Sequence, residues 1–244
     1  MFILFKDYVA LSIIKHMNLV NIIVWLTLYV FTPITIAQSI DDALVLYKKK
    51  DYLSTIAILN PLADKGHTEA QALLGWMYFK GQGVNKNYKS ALQWYVLAAE
   101  KGSPGAEFNL GFMYHKGHGV PQDYSEAVRW YIKARDGGNI FANYNLGLLV
   151  EEGKGIEAKP GLAFRLFSVS AEKGHVQSMG KVGHYYSQGD GVELNYDLAY
   201  QWSLMAARQG DKLAHQVLDE VRTHLSKQKM KELERTAQNL IFRK

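Results

Sequence analysis

The sequence predicts an all-α chain, an α-solenoid of helix-turn-helix units with a 36-residue period, and three observations predict it. Glycines recur at one spacing in the columns Gly75/Gly111/Gly147/Gly183, Gly81/Gly117/Gly153/Gly189 and Gly83/Gly119/Gly155/Gly191. A period between about 20 and 50 residues marks a tandem array whose units bury their apolar faces only against neighbours. Within a unit the apolar residues fall at helical spacing, as in Leu74, Met77 and Tyr78 and again in Ala91, Trp94, Tyr95 and Ala98. Between the two helical stretches stands a Gly-x-Gly turn, Gly81-Gln82-Gly83 in the first unit, where positive φ angles end one helix and redirect the chain.

Residues 1–37 read as a signal peptide, or as an N-terminal membrane anchor if uncleaved. The 25 residues between Lys15 and Asp41 contain no Asp, Glu, Lys or Arg. Residues 20–31 have the length of a signal-peptide apolar region, and Thr35-Ile36-Ala37 approximates a small-x-small cleavage site, which would start the mature chain at Gln38. Asn18, Asn21, Thr27, Thr32 and Pro33 interrupt the roughly 20 apolar residues that a spanning helix needs. Met17 is an alternative start to Met1. The expected location is therefore outside the cytoplasm, periplasmic or secreted, with an inner-membrane anchor holding the array outside the cytoplasm as the alternative.

Residues 38–69 are expected to form a degenerate capping hairpin, with helical stretches over 41–50 and 52–65. Tyr52, Leu59, Leu62, Ala63 and Gly66 stand one period ahead of Tyr88, Tyr95, Ala98, Ala99 and Gly102. Four full units follow, over 70–105, 106–141, 142–177 and 178–213. They share the columns Leu74/Leu110/Leu146/Val182, Tyr78/Tyr114/Val150/Tyr186, Val84/Val120/Ile156/Val192, Ala91/Ala127/Ala163/Ala199 and Trp94/Trp130/Leu166/Trp202. Asn87, Asp123 and Asn195 are the expected N-caps of the second helices; Asp123 with Glu126 has the spacing of a capping box, and Pro160 fits a first helical turn. Gly102, Gly138, Gly174 and Gly210 are expected to cap those helices at their C-termini. The Gly75 column lies mid-helix, where glycine costs about 1 kcal/mol relative to alanine, so its recurrence predicts close helix packing. Residues 214–244 complete the array as C-terminal capping helices: 214–223 restarts a first helix, and 226–240 makes a polar closing helix with Leu233, Ala237 and Leu240 as its apolar edge.

The pattern Ala-x-x-x-Leu-Gly-x-x-Tyr-x-x-Gly-x-Gly-Val, then Asp/Asn-Tyr-x-x-Ala-x-x-Trp-Tyr-x-x-Ala-Ala-Glu-Lys-Gly, resembles the Sel-one-like repeat (SLR) family, relatives of the tetratricopeptide repeats. Residues 70–213 carry the resemblance, and 106–138 match almost every position. The third unit departs from it at Val150, Leu166 and Lys159-Pro160. The resemblance implies a right-handed, tetratricopeptide-like superhelix in which successive first helices line a concave groove. It also implies adaptor roles, which in this family range over bacterial envelope processes, signalling, host contact and eukaryotic protein quality control.

Composition narrows the function. A hydrophobic content of 48% excludes a disordered chain. Most of the net charge of +5 sits after residue 219, where seven Lys/Arg face three Glu, so the array is close to neutral. A nucleic-acid reader would carry a basic face through the fold, and no nucleic-acid partner is expected. The chain has no cysteine, which excludes disulfides and thiolate metal sites and separates it from the cysteine-rich secreted branch of the family.

No cofactor, metal site or catalytic group is predicted. His115 and His118 flank Lys116-Gly117, with His184 two units on, but two histidines on different sides of a turn do not supply the three or four convergent ligands of a zinc site. The Gly-x-Gly turns follow helices and lack the strand and Gly-Lys-Ser/Thr ending of a phosphate loop. Neither a Gly-x-Ser-x-Gly elbow nor a His-Glu-x-x-His helix occurs. Trp94, Tyr95, Trp130, Tyr131 and Trp202 recur at core positions of the second helices and are expected between units.

The first-helix positions that fail to repeat are the candidate groove: Leu73/Asn109/Asn145/Lys181, Trp76/Phe112/Leu148/His184 and Phe79/His115/Glu151/Ser187. Asn109 and Asn145 have amides able to pair with an extended peptide backbone, or alternatively to bridge helices within the repeat. The expected function is that of a noncatalytic exported scaffold or adaptor for a protein or peptide partner, with membrane contact only through an uncleaved N-terminus. Two alternatives stand beside it, a secreted hydrolase of β-lactams or cell-wall fragments by analogy with the cysteine-rich branch, and a membrane-anchored assembly factor.

Overall fold

The computed structural model describes residues 39–237. The expected leader or anchor and Leu240 of the closing helix lie outside the described residues. Among them, twelve α-helices and one 3-10 turn follow one another without a strand. Helices α1 (Ile40–Lys48) and α2 (Tyr52–Asp64) form the N-terminal hairpin. Four hairpins follow: α3 (Thr68–Lys80) with α4 (Tyr88–Ala99), α5 (Pro104–Lys116) with α6 (Tyr124–Asp136), α7 (Ile140–Glu152) with α8 (Pro160–Glu172), and α9 (Val176–Gln188) with α10 (Tyr196–Ala207). The chain closes with α11 (Lys212–Val221), the 3-10 turn (Arg222–His224) and α12 (Lys227–Thr236). Each helix from α1 to α10 packs on its successor, α3 also meets α5, α9 meets α11, and α12 returns to α10.

The mid-helix glycines each seat one side chain of the partner helix. A Cβ on Gly75 would stand 2.7 Å from the ring of Tyr95, on Gly111 2.6 Å from Tyr131, and on Gly147 2.7 Å from Phe167. All three rings are fully buried. In the last unit Ser203 takes the ring's place, and the backbone comes close as well, with Ser203 N 3.1 Å from where a Cβ on Gly183 would be.

The second glycine of each turn has a different task. A Cβ on Gly83 or Gly119 would come within 2.8 and 2.7 Å of Tyr52 Cβ and Tyr88 Cβ, and on Gly155 would collide with the Tyr124 backbone. Each of these tyrosines begins, or in Tyr52's case begins in the cap, the second helix of the preceding hairpin. On Gly191 a Cβ would collide with Pro160 and Gly161, the equivalent helix start. This column therefore packs one repeat onto the last in addition to turning the chain.

Asn87, Asp123 and Asn195 cap as expected, accepting from Ser90 N (3.1 Å), Glu126 N (2.9 Å) and Leu198 N (2.9 Å). The capping box at Asp123 is only half made. Asp123 N donates to Tyr114 O at 3.0 Å, so Glu126 has no cap N–H to accept from and instead pairs with Arg129 at 3.2 Å. Asn87 N and Asn195 N likewise donate to Tyr78 O and Tyr186 O. The sequence reading missed the caps of α3, α5, α7, α9 and α11, which are His67, Ser103, Asn139, His175 and Asp211. The signal was the residue after each positive-φ glycine of the Gly66/Gly102/Gly138/Gly174/Gly210 column.

The expected inter-unit aromatics sit there. Trp94 packs against the apolar cluster of the N-terminal hairpin and Trp130 against that of the first repeat. Trp202 belongs to the cluster that runs from Ala127 to Ala237. At the C-terminal end, Lys229 pairs with Asp197 (2.9 Å), Tyr200 Oη donates to Glu234 (2.9 Å) and Gln201 Nε2 donates to Thr236 Oγ1 (2.7 Å), fastening α12 to α10. Among the described residues no helix is long and apolar enough to cross a membrane.

Candidate functional site

The core face of each first helix is set by the Ala70, Leu74 and Met77 columns, all fully buried in the first repeat. Helical spacing turns residues 73, 76 and 80 away from that face. Leu73, Trp76, Phe79, Asn109, Phe112, Asn145, Leu148, Lys181 and His184 are accordingly half-buried. Leu73 and Leu148 rest against neighbouring apolar clusters.

Trp76, Phe79 and Phe112 come together. Trp76 stacks on Phe79 with ring centres 6.1 Å apart, and Phe79 meets Phe112 edge-on at 6.1 Å. Trp76 is also tied to the N-terminal hairpin. Its Nε1 donates to Tyr47 Oη (2.9 Å), which donates to Gln82 Oε1 (3.0 Å), while Gln82 Nε2 donates to Tyr52 Oη (3.2 Å). Trp76 thus has a structural role that the sequence did not reveal.

His115 departs from expectation, because it is 9% exposed and faces inward. Its Nδ1 lies 3.4 Å from Tyr131 Oη, and its ring meets Tyr124 and Tyr131 edge-on. Burial, reinforced by Lys116, holds its pKa below the usual histidine value. The cause of its inward turn is the buried tyrosine hydroxyl, which needs a partner. In the first repeat the same column carries Phe79, and Tyr95 Oη has no hydrogen-bond partner among the described residues.

The two asparagines do not bridge helices. Asn145 Nδ2 donates to Phe141 O of its own helix at 3.0 Å, and Asn109 makes no side-chain hydrogen bond among the described residues. Further along, Glu151 accepts from Lys181 Nζ (2.5 Å) and Tyr185 Oη (3.0 Å), so Lys181 is already paired across a repeat boundary. Burial together with Glu151 pushes the Tyr185 pKa upward. His184 stands apart from this pair, and its carbonyl accepts from Ser187 Oγ. A separate open groove lies along α4, lined by Tyr78, Gln93, Trp94 and Leu97, on a second helix whose Trp94 was expected only between units. Among the described residues no cluster of His, Asp or Glu is arranged to hold a metal.

Stacked helical hairpins with glycine-seated helix pairs and repeat-to-repeat turns define an α-solenoid of the helical-repeat interaction class. The chain belongs to the Sel1 repeat family: the family model, described as Sel1 repeat, matches residues 68–103, 104–139, 140–175 and 176–211. Each match begins at a first helix or its opening turn. A Sel1 repeat protein from Oxalobacter formigenes is 36% identical, with a TM-score of 0.69 over 75% of each chain. A protective antigen present in uropathogenic Escherichia coli strains, displaying an SLR fold, is 38% identical with a TM-score of 0.63 over 65% of this chain. The alignment spans about a third of that antigen, 34% of its length. None of the curated proteins matches the chain. Sel1-repeat proteins generally bind proteins and are generally noncatalytic, and at that level this chain is a protein-interaction scaffold.

Proposed function

We propose that the protein is a noncatalytic exported scaffold that captures a protein or peptide along its first helices. The observation that supports this most is the hydrogen-bonding capacity left open at Asn109, on the same face as the half-buried ring of Phe112. An amide able to donate and accept beside an apolar surface suits an extended backbone, which brings both groups at every residue. Asn145 keeps its Oδ1 free for the same purpose one repeat on. Export is inferred from the uncharged stretch between Lys15 and Asp41 and the Thr35-Ile36-Ala37 sequence.

A photoreactive residue placed at Asn109 or Asn145 tests the surface in living cells, with Arg165 on the exposed side of α8 as the control. Adducts are expected from the two first-helix positions and not from Arg165. Adducts from Arg165 alone would overturn the assignment. The N-terminal sequence of the purified chain tests export: a start at Gln38 supports a cleaved leader, and retention of residues 17–37 in the membrane fraction supports an anchor instead.

A further inference from the structure

Resting on that interaction reading, the geometry points to an acidic peptide segment bearing an apolar side chain as the ligand of the first two repeats. Five rings form one continuous surface there. Besides the Trp76–Phe79–Phe112 contacts, Phe79 meets Tyr88 at 5.2 Å, and His118 stacks flat on Tyr88 at 4.7 Å and meets Phe112 at 5.9 Å. All five side chains are half-buried, so the surface is open to a ligand while held from beneath. Two lysines lie on it. Lys80 Nζ stands 4.6 Å over the Trp76 ring, and Lys86 Nζ 5.3 Å over Tyr88.

The decisive feature is the missing counter-charge. None of the ion pairs among the described residues involves Lys80 or Lys86. Ring faces attract the Lys80 and Lys86 ammonium groups, and Lys86 Nζ also donates to Tyr88 Oη at 3.4 Å, but neither contact neutralises the charge. An arriving carboxylate would meet cations already placed at the rim, while an apolar side chain covers Phe79 and Phe112. The character changes two repeats on. The column of Phe79 and His115 carries Glu151, and that of Lys80 and Lys116 carries Glu152; Lys181 pairs with the first and Lys154 with the second (2.7 Å), so beyond the second repeat these lysines already have their carboxylates. The acidic part of the ligand is thereby confined to α3 and α5. A single-stranded nucleic acid also seeks cations beside rings. It needs cations along its whole track, and in the third and fourth repeats Lys154 and Lys181 are already paired with Glu152 and Glu151, so the peptide is favoured.

The test uses a random display library of about twelve-residue peptides, a length spanning several repeats when extended, panned on the immobilised full chain and on the Lys80→Glu/Lys86→Glu variant. Wild type is expected to enrich peptides combining Asp or Glu with an aromatic or large aliphatic residue. The charge-reversed variant, checked for unchanged helical circular dichroism, should bind those same peptides about tenfold or more weakly. Their binding to wild type should weaken as salt rises, since these charges are exposed. Enrichment of neutral or basic peptides whose binding falls on Phe112→Ala would overturn the acidic ligand and leave the first-helix surface standing. No enriched peptide sensitive to Phe112→Ala would remove both. Tighter binding of an oligothymidine than of any selected peptide would assign the cations to nucleic acid and overturn the proposal.

Discussion

At the scale of single residues, the position of Phe79 and His115 near the end of the first helix decides, in the first two repeats, whether a buried hydroxyl is satisfied. Phe79 leaves Tyr95 Oη alone, and His115 partners Tyr131 Oη. Leaving a buried polar group unpaired costs about 1–3 kcal/mol. Tyr95→Phe, which copies Phe167 of the third repeat, should therefore raise the melting temperature by about 2–4 °C for each kcal/mol recovered, measured by thermal circular dichroism. His115 carries a pH signature of opposite origin. Its folded pKa is lowered, so its neutral form is favoured in the fold, and the stability it contributes above the unfolded histidine value is lost as pH falls through the folded one. His115→Phe should destabilise the chain near neutrality by orphaning Tyr131 Oη, and should flatten the fall in stability as pH drops below the ordinary histidine value. Parallel pH profiles for variant and wild type would contradict this account of the residue.

At the scale of elements, glycines with similar backbone angles have unequal importance. Gly138 and Gly155 both have positive φ, yet a Cβ on Gly138 meets nothing within 4 Å, whereas on Gly155 it collides with the start of the preceding repeat's second helix. Gly138→Ala should cost about 1–2 kcal/mol, the penalty of a left-handed residue with a side chain. Gly155→Ala should cost a further 1–3 kcal/mol, roughly, from overpacking. Urea unfolding of the two variants measures the difference, and equal losses would mean that the turn contributes geometry alone. The helices, hairpins and the N-caps Asn87, Asp123 and Asn195 were legible in the sequence because they depend on local backbone chemistry repeated at a fixed spacing, whereas the C-caps of the second helices fall one or two residues before the expected glycines, at Glu100, Gly137, Lys173 and Arg208. The docking of Gly155 on Tyr124 was not legible, since it joins residues about one repeat apart whose spatial meeting follows only from stacking. His115 was misassigned to the groove for the same reason: its orientation is set by a tyrosine on another helix. Helical spacing turns Trp76 away from the core face, where it is half-buried, while its bond to Tyr47 could not be inferred from either residue.

At the scale of the whole molecule, one-dimensional stacking leaves the two ends as the only places where a unit lacks a neighbour. Helix α12 fills that place at the C-terminal end through Leu233, Ala237 and the bonds to Asp197, Tyr200 and Gln201. A chain ending at Ser226 should lose about 2–4 kcal/mol of stability, the scale of losing two or so buried side chains with their hydrogen bonds. It should also self-associate through uncovered Trp202 and Tyr200, visible by light scattering. The central claim is a division of labour: repeating columns build the solenoid, and the non-repeating face of the first helices binds. Amide hydrogen exchange on the full chain, with and without a saturating display-selected peptide, tests that division most directly. The account predicts new protection concentrated in α3 and α5 and little change in the outer residues of α4, α6 and α8. Protection centred on α4, around Gln93 and Leu97, with α3 and α5 unchanged, would contradict it.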